Sequence, residues 1–182
     1  NLGSLSISDS ELTGNSSMRA GGAIEENSSS GSLLTITNSD LMNNSTASAP
    51  GNGGGLHITG AGDSNITGGN VSGNTASQEG GGLWNGTGTM TVDGTIIDAN
   101  IASGPAADDG GAGIFNNGGT LNVLNATLSN NVADGAAGSG GGILNNEGTL
   151  SVTDSEFTAN TSMRAGGAIE DKSLAGNLLT LT

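Results

Sequence analysis

The chain has no cysteine and no tyrosine, and among its 182 residues only two prolines, one tryptophan and three basic residues. Each shortage removes a class of protein. Without cysteine there is neither a disulfide framework nor a thiolate metal site. With aromatics at 2%, the usual globular core of large interlocking side chains cannot be built. Three cations, Arg19, Arg164 and Lys172, against 17 acids leave a net charge of −14. That is the wrong sign for gripping nucleic acid or an anionic membrane surface. No apolar run approaches the roughly 20 residues that span a bilayer, so direct membrane insertion is not expected. What is abundant is glycine, at 35 residues. It does not recur at every third position, which excludes collagen. Hydrophobic residues still make up 32%, mainly small aliphatics, too many for a disordered polar chain. These proportions suit a thin, extended core with many turns.

The order of the residues says how such a core is made. Residues 1–37 align without a gap on residues 146–182, with 24 of the 37 positions identical. Both copies contain Ser-Met-Arg-Ala-Gly-Gly-Ala-Ile-Glu, at 17–25 and 162–170. The chain therefore reads as a window on a longer array, one 145-residue super-repeat and a quarter of the next. Inside it a small-small-aliphatic signal recurs, with rungs starting near Gly21, Gly53, Gly80, Gly111, Gly140 and Gly166. Five short units thus fill one long one. Periods of this size mark a solenoid or a propeller. The three parts of each unit favour the solenoid. A glycine corner comes first, then a stretch alternating at period two, such as Thr149-Leu150-Ser151-Val152-Thr153. Last comes an aliphatic residue or Phe followed three positions later by Asn. The expected fold is all-β: a right-handed parallel β-helix (β-solenoid) with three short strands per rung and about six rungs, continuous over 1–182. Long units are expected to carry loop insertions, at 46–52 and 103–109.

Stacking such units places like residues about 4.8 Å apart. Leu, Ile and Val then line the interior, and Asn15, Asn44, Asn74, Asn100, Asn131 and Asn160 fall in one column, where buried amides can bond to their neighbours above and below. The residue after the inward aliphatic should point outward. His57, Trp84, Phe115 and Leu144 are therefore expected to form an exposed apolar strip, a candidate for lateral or ligand contact, unless the long loops cover it.

The pairing of Phe157-Thr-Ala-Asn160 with Gly166-Gly-Ala-Ile169 resembles the FxxN and GGAI motifs of chlamydial polymorphic outer-membrane proteins, and of similar repeats in very large secreted bacterial proteins. The resemblance spans most of the chain but as short, degenerate motifs. It implies a right-handed β-helix on the bacterial cell surface, acting as an adhesin or stalk, and no chemistry.

The residues themselves offer little chemistry. Glycoside cleavage needs a fixed pair of carboxylates. Asp9, Asp93 and Asp154 sit in what look like equivalent slots of different units, with Asp93 displaced by a one-residue bulge, and a repeated acid is structural before it is catalytic. An enzyme is not expected. His57 is the sole histidine and has no evident partner. The acidic loops around Glu79, Asp108-Asp109 and Asp134 leave loosely bound calcium as the one cofactor to consider. Asn85 and Asn125 stand in Asn-x-Thr sequons outside the ladder. Two functions follow: the structural shaft of an extracellular filament, stalk or giant adhesin, or a module that binds glycans or a host or neighbouring cell surface through the apolar strip or loops. In the first, the partners are neighbouring repeats or copies of the chain itself.

Overall fold

The computed structural model describes residues 3–182, and they form a parallel β-solenoid without a helix. The chain winds through about six turns, and each strand pairs in parallel with its equivalents one turn before and after. Four sheets result, one of seven strands and three of six. One turn shows the pattern: Ile143–Asn146, Thr149–Thr153, Glu156–Thr158 and Thr161–Ser162. The first three are the parts visible in sequence. The fourth, a two-residue strand just after the ladder asparagine, adds a short side to the turn.

Register is set by side-chain alternation. In the seven-stranded sheet Leu5, Leu34, Ser64, Met90, Leu121, Leu150 and Leu179 are stacked, and Ile7 through Leu181 form the parallel inward column beside them. Slipping one strand by a single residue would turn its aliphatics outward. The next sheet adds the column Leu12, Leu41, Val71, Ile97, Leu128 and Phe157, and the glycine-corner sheet adds Ile24, Leu56, Leu83, Ile114, Ile143 and Ile169. Together they form one continuous apolar bore along the axis.

Two kinds of corner hold the turns together. The first glycine of each Gly-Gly or Gly-Ala pair takes a left-handed φ of 57–64°. A Cβ there would lie 2.2–2.6 Å from the carbonyl oxygen of the aliphatic three residues on, so only glycine fits. The corner before the ladder asparagine is also left-handed, yet Gly14, Asn43, Gly73, Ala99, Asn130 and Ala159 share it.

The expected bulge at Asp93 is absent. Asp93 pairs with Thr67 and Leu124 as the last residue of its strand, and Gly94 takes the left-handed slot held by Asp9 and Asp154 elsewhere. The three acids therefore do not form one column. The loops 46–52 and 103–109 fall, as anticipated, between the two-residue strand and the glycine corner.

Candidate functional site: two amide ladders and a covered outer column

The six expected asparagines form an uninterrupted ladder. Each Nδ2 donates to the Oδ1 of the next: Asn15 to Asn44 at 3.0 Å, then 3.0, 2.9, 2.9 and finally 2.8 Å from Asn131 to Asn160. The same Oδ1 also accepts the backbone N–H of the asparagine one turn earlier. The second Nδ2 proton goes back to a backbone carbonyl of the previous turn, as from Asn100 to Val71 at 2.9 Å. Asn44, Asn74, Asn100 and Asn131 are fully buried, and buried amides are tolerated only when satisfied in this way. The ladder is polar, since every amide-to-amide bond points in the same direction along the axis.

A second ladder runs along the glycine-corner sheet. Asn85 Nδ2 donates to Asn116 Oδ1 at 2.7 Å, Asn116 to Asn145 at 2.6 Å, and Asn145 to Asp171 Oδ1 at 2.6 Å. The signal was present in the sequence as an asparagine two places after the inward aliphatic in three successive units. It stops at a carboxylate in one direction. In the other, Ile58 stacks on Asn85 and leaves Asn85 Oδ1 without a donor. Asn85 is fully buried, so it is no exposed glycan acceptor, whereas Asn125 is exposed.

The outward column does not form an exposed strip. His57, Trp84 and Phe115 are 3%, 7% and 1% exposed, and Leu144 is fully buried. They do stack from turn to turn, with His57 and Trp84 rings 4.4 Å apart and Trp84 and Phe115 nearly parallel at 6.0 Å. Trp84, Phe115 and Leu144 form an apolar cluster separate from the bore. The reason is the glycine corner, which doubles the chain back across this column. A Cβ on Gly53, Gly80 or Gly111 would meet the Cβ of His57, Trp84 or Phe115 at 2.6–3.0 Å. Backbone hydrogen bonds link the covering segments from turn to turn, for example Gly53 N to Glu79 O and Gly111 N to Ser139 O, both 2.9 Å. Composition hid this cover, because it consists of Gly, Ala, Ser and Asp residues that look like solvated loops.

The polar groups near the column serve the cover. Trp84 Nε1 and Asn52 Nδ2 donate to Glu79 Oε2 at 3.0 and 2.9 Å. Burial raises the Glu79 pKa; these two hydrogen bonds oppose the rise and nearby Asp109 adds to it. Burial, helped by Arg19, lowers His57 to about 4, so its imidazole is neutral at pH 7 and its Nδ1 has no hydrogen-bond partner. The three cations act as fasteners. Arg19 pairs with Glu25. Arg164 pairs with Glu170 at 2.6 Å and also donates to Ser139 Oγ and Ala107 O. Lys172 reaches back to Asp108 in the 103–109 loop, which holds the Asp108 carboxyl below its usual pKa. Among the described residues no cluster of His, Cys, Asp or Glu is arranged to hold a metal ion, and no helix is long and apolar enough to cross a membrane.

No family model matches the chain, and comparison with curated proteins and with solved structures finds no match.

Proposed function

We propose that this chain is a length of structural shaft in an extracellular filament, stalk or giant adhesin built from tandem solenoid repeats. The observation that carries the proposal is the unbroken asparagine ladder. It crosses from the fifth turn into the sixth, where the 145-residue super-repeat begins again, with bonds of the same length as elsewhere. The strands of each turn pair only with those of the turns before and after, so stability adds along the stack and length can grow without a new design. The net charge of −14 keeps neighbouring shafts apart. The surface-display part rests on the resemblance to the GGAI/FxxN repeats. The rival glycan- or cell-binding module loses the exposed aromatic strip that motivated it, because those side chains are covered.

The test is length. Chains of one, two and four super-repeats should lengthen by roughly 24 Å per 145 residues, five turns at the strand spacing, as measured by small-angle scattering or electron microscopy. Particles whose longest dimension stays constant as repeats are added would sink the shaft reading. Immunolabelling of producing cells tests the location, and label confined to the cytosol would reject it.

A further inference from the structure

The first and sixth turns are near copies, yet they are satisfied to different degrees. On the sixth turn Asp171 accepts from Asn145. Asn160 Oδ1 accepts both the backbone N–H and the Nδ2 of Asn131. Arg164 reaches back to Ser139 Oγ at 2.9 Å and Ala107 O at 3.1 Å. All these partners lie one or two turns earlier along the stack. The equivalent residues 145 positions earlier are Glu26, Asn15 and Arg19. Glu26 is 1% exposed, and neither carboxylate oxygen has a hydrogen-bond partner. Among the described residues nothing donates to Asn15 Oδ1, and the Arg19 guanidinium meets only Glu25.

We infer that the leading edge of the first turn, with Asn15 and Arg19 exposed on it and the unpartnered Glu26 carboxylate buried beneath it, is a docking surface for the last turn of a preceding super-repeat, with the chemistry of residues 117–145. The second ladder supplies the logic. It runs Asn85, Asn116, Asn145 and then ends on an acid, which accepts and has no proton to pass on. Ile58 follows the acid column and resets it. Within that pattern Glu26 is the terminator of a ladder whose asparagines lie outside this window. A buried carboxylate without a donor is costly, and an asparagine in the position of Asn145 removes the cost. Arg19 then fastens the preceding repeat's loops as Arg164 fastens the loops at 103–109 and 134–139. The cations thus mark super-repeat junctions. Arg19 lies in the first turn, Arg164 and Lys172 in the sixth, and the intervening turns have no basic residue.

The inference rests on the shaft reading and is tested separately from it. Two proteins are compared: the 182-residue chain, and the same chain with a second copy of residues 1–145 fused ahead of it. Glu26→Leu should raise the melting midpoint of the first by a few degrees, because it removes the orphan carboxylate, and lower that of the fused chain, because it orphans the donor. Glu26→Asp, which restores the residue found at 171, should leave the fused chain near its parent. Hydrogen exchange on the unmodified pair provides the second measurement. Fusion should slow the backbone amides of 11–26 at least tenfold. A Glu26→Leu shift of the same sign in both chains, or unchanged exchange over 11–26, overturns the junction. Elongation of the fused chain without these effects would reject the junction and leave the shaft standing.

Discussion

The bore and the outer column are both dry and apolar, and both stack turn upon turn, yet they are built on opposite principles. The bore repeats aliphatic residues at fixed positions, broken in its columns by Ser64, and the asparagine ladder satisfies the amides at its corner. The outer column uses four different side chains in four turns, and its cover joins the repeated glycine corner to loops of varying length, held by backbone hydrogen bonds, a few ions and one shared carboxylate. The difference teaches that periodicity specifies the interior, while the exterior layer depends on local insertions. Damage to the bore should therefore spread along the axis, and damage to the outer column should stay local.

The largest expected effect is on the ladder. Asn100→Ala removes the acceptor for two groups of Asn74 and the donors to Val71 O and Asn131 Oδ1. At about 1–3 kcal/mol per stranded buried group, the loss should be about 4 kcal/mol or more, with far-ultraviolet dichroism lost in the same denaturant transition. Next comes the pH response of His57. Its folded pKa, about 4, lies below the ordinary 6.5, so the unfolded chain takes up the proton first as pH falls. Its contribution is whole above pH 6.5 and fades towards pH 4, by up to about 3 kcal/mol. Glu79 works in the other direction, since its raised pKa makes the charged form costly as pH rises above 4.5. The denaturant midpoint of the parent should fall relative to that of His57→Leu as pH drops from 7 to 4, and parallel curves would show that His57 does not titrate in this way.

Trp84→Ala should cost about 2 kcal/mol, below the usual 3–5 for a buried aromatic, because the overlying loop can settle into the space. Protease sensitivity should rise at 77–80 and 103–110 while the sheets persist; a loss of dichroism equal to that of Asn100→Ala would erase the distinction between the two regions. Ala99→Gly should stabilise by about 1 kcal/mol, because Ala99 sits at φ 53°, where a Cβ is disfavoured. Smallest is Lys172→Ala. Its pair with Asp108 is largely exposed, so the melting midpoint should barely move, and the single tryptophan should report whether the loop loosens.

How much was legible follows the same division. The inward columns and the Asn15–Asn160 ladder could be placed by number, because a period-two strand and a fixed three-residue offset leave one geometry for a stacked coil. The two-residue strand could not, since Ser16–Ser17 or Thr161–Ser162 are too short to show alternation. The outward direction of Trp84 and Phe115 was legible, but the choice between an exposed strip and a covered one was not, because exposure depends on what lies above them. Glycine-rich corners look like linkers in composition, whereas Gly80 and Gly111 press directly on those rings. The register of Asp93 failed for a smaller reason: Gly94 can adopt the same left-handed turn as Asp154, and residue type alone misplaced the slot.

The direction of the amide ladder also has a mechanical meaning. All inter-turn bonds lie along the axis, so a pull on the two ends loads them in line, and they open as a zipper does, one turn at a time. Successive ladder asparagines are 26 to 31 residues apart. Each released turn would pay out roughly 90–100 Å of extended chain in exchange for about 4.8 Å of solenoid. Each turn that yields would lengthen about twentyfold while the remaining turns stay folded.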